Sequence, residues 1–149
     1  MTDLKLIAFD AEDLAVIAAH LQDAVLRVDD MAFVKSERRF ALVANRFDWS
    51  HAATTRKARD GFIRRRTGLR IEHATSAQVQ ELDLTGKDRV LSLLTLTFTP
   101  SGRDDDPRGT VTLTFAGGGA VRLTVDCIEA GMTDLGAAWS TPNKPEHAD

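Results

Sequence analysis

The apolar residues near the N-terminus change from a strand-like run to a helical spacing. Residues 4–9 form a short apolar run that predicts a strand. The next apolar residues recur at the spacing of one face of an amphipathic helix: Leu14, Ile17, Ala18 and Leu21. Asp10 precedes them and is predicted to cap this helix, because its carboxylate can accept backbone N–H groups of the first turn.

From residue 24 the apolar residues alternate with polar ones, which is typical of strands. A hairpin about Asp29-Asp30 would pair residues of one face: Val28 with Met31 and Leu26 with Phe33. A polar turn over 35–38 would set two further pairs on that face: Phe33 with Phe40 and Met31 with Leu42. The pattern therefore predicts three consecutive antiparallel strands.

The middle of the chain has a weaker pattern. Residues 48–60 show no period and are predicted to form a surface loop. Two strands are predicted next, joined near Thr67-Gly68: 61–66 and 69–75. One register would place Arg64 opposite Arg70, and like charges directly opposite are unfavourable, so the register stays open.

Three later segments alternate apolar and polar residues and are predicted as strands: 89–99, 110–116 and 120–126. In the first of them, Leu94 and Leu96 point one way and Leu93 points the other. The first half of this strand is therefore expected to be buried on both faces.

The stretch AGGGAVRL joins the last two strands, and its glycines could cradle a phosphate. A phosphate loop leads into a helix and a nucleotide loop also carries Lys-Ser/Thr, whereas these glycines lead into a strand. A three-residue turn, 117–119, would keep the apolar residues of both strands on one face: Phe115 with Val121, Leu113 with Leu123 and Val111 with Val125. Gly119 is predicted to have a positive φ.

Apolar residues recur at helical spacing again near the C-terminus: Ile128, Met132, Leu135 and Trp139. Asp126 and Glu129 have the spacing of a capping box. The pattern predicts a helix that packs on the sheet, followed by an irregular tail over 140–149.

Composition narrows the class of protein without indicating a function. The 149 residues suit one domain, 1–149, and the net charge of −3 gives no general attraction to nucleic acid or anionic membranes. The single cysteine, Cys127, cannot form an internal disulfide. The N-terminus lacks a secretory pattern, and no run approaches the ~20 apolar residues of a membrane helix. We expect a soluble, cytoplasmic protein that does not bind membranes.

Candidate catalytic and metal-binding residues have simpler explanations. Capping accounts for Asp126 and Glu129, and Cys127 continues a buried face, so a structural role is expected. The histidines have no metal-ligand spacing to each other or to the cysteine: His20, His51, His73 and His147. No catalytic residue, cofactor or metal site is predicted. A site that joins His51 or His73 to distant carboxylates stays open.

The largest charge asymmetry lies in segment 56–70. It contains one Asp and seven basic residues: Arg56, Lys57, Arg59, Arg64, Arg65, Arg66 and Arg70. The local charge is +6, so the remainder of the chain carries −9. Trp49 and Phe62 could stack on bases. The segment predicts a site for nucleic acid or a phosphorylated ligand; the alternative is a solvated face whose arginines pair with acidic residues elsewhere.

The segments VLSLLTLTF, GTVTLTFAGGGAVRLTVDCIEAGMTDLGAAW and PEH resemble an uncharacterised family, the domain of unknown function 2948, which is known mainly from alphaproteobacteria. The resemblance spans most of the chain and is sharpest over 90–147. It implies a small cytoplasmic bacterial protein. The family has no assigned activity, so the resemblance transfers no catalytic residues.

These patterns predict the α+β class: an antiparallel meander or half-barrel with an N-terminal helix and a C-terminal capping helix. A pleckstrin-homology-type half-barrel has this order of elements, and the alternative is an open antiparallel sheet with both helices on one face. The leading function hypothesis is a non-enzymatic binding or adaptor module with a protein partner or an anionic ligand. Anion binding through 56–70 and an enzyme with an unrecognised site are the alternatives. The oligomeric state is not predicted.

Overall fold

One helix and eleven antiparallel strands form the described part of the chain. The computed structural model describes residues 4–48, 62–86, 88–136 and 139–141. The helix is α1 (Ala11–Leu21). The strands are β1 (Lys5–Ala8), β2 (Ala24–Arg27), β3 (Met31–Val34), β4 (Arg39–Phe47), β5 (Phe62–Ile71), β6 (Ala74–Gln80), β7 (Val90–Pro100), β8 (Gly109–Phe115), β9 (Ala120–Val125), β10 (Ala130–Asp134) and β11 (Trp139–Thr141).

The strands belong to one sheet with the order β1-β10-β5-β4-β2-β7-β8-β9-β6. In addition, β3 pairs with β4 and β11 pairs with β5. Over the described residues this path ends at β1 and β6 and does not close into a barrel. Neighbouring strands are often distant in the sequence, so most of the sheet depends on long-range pairing.

The sheet has an inner face, which carries the core, and an outer face. Buried residues such as Leu42, Leu69 and Met132 lie side by side on the inner face. The helix α1 contacts β7, β1 and β4 and contributes Ile17 and Leu21 to the same core. This burial of apolar surface is the main stabilising term of the fold.

The predictions for the N-terminal strand and helix are confirmed. The strand β1 lies within 4–9. The Asp10 carboxylate accepts a hydrogen bond from the Asp13 backbone N–H at 2.8 Å, which is an N-cap. The four residues of the predicted stripe are the buried residues of the helix: Leu14, Ile17, Ala18 and Leu21.

The predicted hairpin about Asp29-Asp30 is wrong, because the chain does not reverse there. Both β2 and β3 run antiparallel to β4, with Val25 opposite Asn45 and Met31 opposite Leu42. Between them a 3-10 turn, Val28–Asp30, leaves the line of the sheet. The next predicted pairs are confirmed: Met31 with Leu42 and Phe33 with Phe40.

The two strands predicted for 61–66 and 69–75 are wrong, since β5 runs unbroken through Thr67-Gly68. Pairing with β4 along most of β5 keeps this segment straight. Arg64 and Arg70 therefore lie on the same strand and are not opposite each other. The chain turns only at His73, which has a positive φ of 59°. Of the predicted loop 48–60, only Asp48 lies within the described residues, and it is buried.

A bulge in β7 overturns the expectation that its first half is buried on both faces. The register shifts between Leu93 and Thr95, which changes the side that later residues face. Leu93 and Leu96 are therefore both buried, whereas Leu94 is exposed.

The glycine turn has the predicted odd length but a register two residues away from the predicted one. Leu113 lies opposite Val121, and the Phe115 N–H donates to the Gly119 carbonyl at 2.8 Å. The apolar residues still share one face. Positive φ angles occur at Gly117 (94°) and Gly118 (103°), so the prediction for Gly119 is wrong.

The predicted C-terminal helix is wrong where the chain is described, because 130–134 form β10 between β1 and β5. Met132 is buried in this strand. Gly131 allows the Arg70 side chain to cross it, since a Cβ there would overlap the guanidinium. Asp126 and Glu129 cap no helix. The described residues thus form a mostly antiparallel, unclosed sheet with one helix, whereas the pleckstrin-homology analogy and the second helix of the open-sheet alternative are not confirmed.

Candidate functional site

A cluster of buried charges lies where β4, β5 and β10 are neighbours. Arg46 donates two hydrogen bonds to Asp134, from Nε to Oδ1 at 3.0 Å and from Nη2 to Oδ2 at 3.0 Å. Thr67 Oγ1 donates to the same carboxylate at 2.8 Å, as does the Leu4 backbone N–H at 2.8 Å. Both charged side chains are almost completely removed from solvent.

The ionisation of Asp134 follows from this environment. Burial by itself raises its pKa, because it disfavours the charged form. Hydrogen bonds from Arg46, Leu4 and Thr67 outweigh burial, so the pKa of Asp134 lies below its ordinary value. His20, in the last turn of α1, has a lowered pKa because of burial and the nearby Arg46 charge.

The seven residues of the predicted anion site do not share one surface where they are described. Arg64 and Arg65 are buried. The Arg65 Nε donates to Asp48 Oδ2 at 2.9 Å, and the Arg64 Nη1 donates to the Asn45 carbonyl at 2.8 Å. Some predicted residues lie outside the described ranges: Arg56, Lys57 and Arg59, together with Trp49 and His51.

Arg70 lies on the outer face and is paired with a carboxylate. Its Nε is 3.3 Å from Glu72 Oε2. Arg39 binds the same Glu72, with Nε to Oε1 at 3.0 Å. The Arg70–Glu72 pair is of the kind that the alternative prediction for segment 56–70 describes, an arginine paired with an acidic residue elsewhere in the chain.

Arg66 is exposed on the outer face and lines a groove together with Arg27. The groove has a volume of about 260 Å³. Its lining includes four polar residues and three valines: Arg27, Asp30, Asn45, Arg66, Val25, Val43 and Val90. Among the described residues, no carboxylate lies within ion-pair distance of Arg27 or Arg66.

The groove arises from the turn between β2 and β3. Val25 and Met31 pair with Asn45 and Leu42 of β4. Between these two pairs the chain of β2 and β3 advances six residues, whereas β4 advances only three. The additional residues leave the line of the sheet and open a depression beside β4. Asp30 fixes this turn, since its Oδ2 accepts the Arg27 backbone N–H at 2.9 Å.

The two guanidinium groups can reach one ligand. Arg66 lies opposite Asn45 on β4, and Asn45 lies opposite Val25, two residues before Arg27. Strand spacing and rise put the Cα atoms of the two arginines ~12 Å apart. Each side chain is long enough to cover half of this distance, so the forks can approach an anion from two sides.

A histidine and a carboxylate lie together at a different place, beside the turn between β9 and β10. His73 Nε2 is 2.8 Å from Glu129 Oε1, and both side chains are partly exposed. Cys127 lies close to Glu129 and is half-buried, not buried as expected. Burial, Glu129 and Asp126 raise the pKa of the Cys127 thiol, which opposes a nucleophilic role.

Two negative findings concern the described residues alone. There, no group of three or more His, Cys, Asp or Glu side chains could hold a metal ion. The same ranges contain no helix of the length and apolarity that would cross a bilayer.

The sequence pattern pointed to Arg66 but not to Arg27, Asp30 or Asn45. An isolated arginine at the end of a short strand carries no local signal. Arg27, Asn45 and Arg66 come together only through the pairing of β2, β4 and β5.

In the described ranges the fold is mostly an open antiparallel sheet with one helix, and a depression that two arginines line lies on the outer face of the sheet. The chain belongs to the family described as "Protein of unknown function (DUF2948)", whose model matches residues 4–147. No curated protein and no solved structure matches the chain.

Proposed function

We propose that this protein is a non-enzymatic binding module that holds a small organic anion in the outer-face groove. The observation that carries the proposal is the presence of two exposed arginines, Arg27 and Arg66, on one groove without a carboxylate partner among the described residues. Other arginines of the same domain, such as Arg39 and Arg46, bind carboxylates of the protein itself.

The lining favours an anion that also has an apolar part. Arginine forks bind phosphate and carboxylate groups through paired hydrogen bonds. The Asn45 amide can donate or accept, while Val43 and Val90 offer apolar surface. The lining has two arginines and one carboxylate, Asp30, so the groove has a net positive charge.

The size of the groove favours a small ligand. Pockets for drug-sized ligands occupy ~300–1,000 Å³, and this groove is slightly smaller. A phosphate or carboxylate attached to a ring or a short chain would fill it. The carboxylate of the described lining, Asp30, accepts the Arg27 backbone N–H and holds the turn, a structural role that favours binding by the groove.

The prediction that segment 56–70 binds nucleic acid stays a prediction. Nucleic-acid binding needs several cations on one exposed surface. Arg64 and Arg65 are buried, and Arg70 is paired with Glu72. A small anion requires only Arg66 from this segment, together with Arg27 from β2, and for this reason we favour it.

Calorimetric titration with phenyl phosphate, inorganic phosphate and phenol tests the proposal. We expect phenyl phosphate to bind most tightly, because it offers both the anion and the ring, and phenol not to bind. Arg66→Ala should weaken binding about tenfold or more, in line with the loss of a charged hydrogen bond. Arg122→Ala is the matched control, since Arg122 is exposed on the outer face of β9 away from the groove.

Equal weakening by both substitutions would show that only general charge matters and would reject the groove. Absence of saturable binding to phenyl phosphate would reject the function itself. A steep salt dependence of binding to single-stranded DNA, lost in Arg66→Ala, would favour nucleic acid instead.

A further inference from the structure

The strand at one end of the sheet, β6, presents an edge that lacks a partner strand in the described part of the chain. It pairs with β9 on one side. On the other side, the Ala74 N–H donates to the Arg38 carbonyl at 3.0 Å, which covers only the start of the strand. The remaining edge can accept a further strand.

Beyond an irregularity between Ala74 and Ser76, this edge carries no charge and no proline that would prevent strand addition. Proteins commonly place charged residues or proline on exposed edges. The sequence of β6 is ATSAQVQ, with no charge and no proline. The first charged residue is Glu81, where a positive φ of 52° turns the chain away.

One apolar residue of β6 is exposed although it belongs to the core face. Val79 lies opposite Val121, which is 3% exposed and part of the core. Val79 itself is 42% exposed. A strand added at this edge would cover it and extend the inner layer.

We propose that a second copy of this chain pairs with this edge, β6 against β6 in antiparallel orientation, with Gln78 opposite Gln78 at the two-fold axis. Side chains alternate between the two faces along a strand, so residues that lie opposite each other in the dimer must point to the same face. For two identical strands related by a two-fold axis perpendicular to the sheet, this holds only when the axis passes through a residue and not between two residues. Centring on Gln78 places Val79 opposite Ala77 of the second copy, a large side chain against a small one. Ser76 then lies opposite Gln80 of the second copy on the outer face.

Charge is compatible with this self-pairing. No like charges face each other along the paired residues, because the strand is uncharged. The two Glu81 residues lie at opposite ends of the ladder, ~20 Å apart by the strand rise. Each Gln78 also has Arg122 beside it on β9, which would attract an acidic partner strand, whereas the uncharged strand ATSAQVQ can pair with its own copy without such a charge.

The dimer does not depend on the anion groove, which is formed by β2, β4 and β5 on the outer face. Its interface is small, since a single strand pair provides it. We therefore expect reversible, concentration-dependent association and not an obligate dimer.

Sedimentation velocity over a dilution series tests the proposal with charge variants at the two-fold axis. Gln78→Lys should weaken self-association by at least about tenfold, because it brings two ammonium groups together. A mixture of Gln78→Lys and Gln78→Glu should form a heterodimer. Thr112→Lys is the matched control, since Thr112 also lies beside Arg122 but on the interior strand β8.

A second pair of variants tests the register by strengthening the dimer. S76K/Q80E would place opposite charges across both ends of the ladder and should tighten association, whereas S76K/Q80K should weaken it. The proposal is overturned if the native chain stays monomeric, which would leave the edge to a peptide of another protein. Equal effects of Gln78→Lys and Thr112→Lys, or equal behaviour of the two double variants, would also overturn it.

Discussion

Replacement of Asp134 by Asn should destabilise the protein strongly, because it removes the negative partner of a buried arginine. Arg46 is 4% exposed and Asp134 is fully buried. Asn keeps the shape of the side chain and can still accept one of the hydrogen bonds from Arg46 or Thr67. The variant removes the charge and also puts an amide N–H donor against one Arg46 N–H in either orientation, so the guanidinium stays buried without its counter-ion.

The expected loss is a large part of the total stability. Breaking a buried ion pair from one side costs ~3–5 kcal/mol, against a total stability of ~5–15 kcal/mol for a domain. The pKa of folded Asp134 lies below the unfolded value, so its ionised form stabilises the fold. The deficit should be complete above about pH 4, the ordinary pKa of Asp, and should shrink as the pH falls further.

Urea unfolding followed by circular dichroism measures this loss. Asp126→Asn is the control, because the Arg38–Asp126 pair is long at 3.5 Å and its side chains are 65% and 48% exposed. A surface pair of this kind contributes ~0–1 kcal/mol. Arg46→Met combined with Asp134→Asn should recover part of the stability, since no charge then lacks its partner. A loss below about 1 kcal/mol for Asp134→Asn, or no recovery in the double variant, would refute the reasoning.

Three further predictions concern other residues. His20 has a lowered pKa in the fold, so stability should fall as the pH drops below about 6.5, and His20→Gln should flatten this part of a pH series of urea unfolding curves. Gly118→Ala should lower the midpoint of thermal unfolding, because a φ of 103° costs an L-residue about 1–3 kcal/mol; an unchanged midpoint would contradict the assigned turn. The Cys127 thiol should react slowly with iodoacetamide at neutral pH and faster in Glu129→Gln, since burial and that carboxylate raise its pKa; equal rates would argue against the contact.

Local patterns were sufficient where an element depends on its own residues. The stripe of α1 and its Asp10 cap are set by neighbours within the helix, and both are confirmed. The turn over 35–38 also fixed the pairing of Phe33 with Phe40. In such elements the spacing of apolar residues and the capping chemistry leave few alternatives.

Local patterns failed where long-range pairing decides the structure. Met132 and Leu135 fit a helical spacing, but the segment pairs with β1 near the N-terminus and with β5 in the middle of the chain. Those hydrogen bonds and the burial of Met132 outweigh a weak helical preference at Gly131. Likewise, the alternation of apolar and polar residues around Asp29-Asp30 fits a hairpin, in which the chain reverses. It fits equally well a short turn after which the chain continues in the same direction, and this second arrangement is the one observed.

The candidate site shows the same limit. Counting charges located segment 56–70, but it could not show that Arg65 meets a buried Asp48 while Arg66 points to the groove. Adjacent residues on a strand face opposite sides, so two neighbouring arginines can have opposite roles. Arg27 was missed because its relation to Arg66 exists only in the assembled sheet.

The most direct test of the central claim is an NMR titration that observes the arginine side-chain Nε–H groups with phenyl phosphate. The groove predicts saturable shifts at Arg27 and Arg66 with one common dissociation constant, together with shifts of the Asn45 side-chain amide, and none at Arg122. Shifts spread evenly over all exposed arginines, or a saturable response that omits Arg27 and Arg66, would contradict the account.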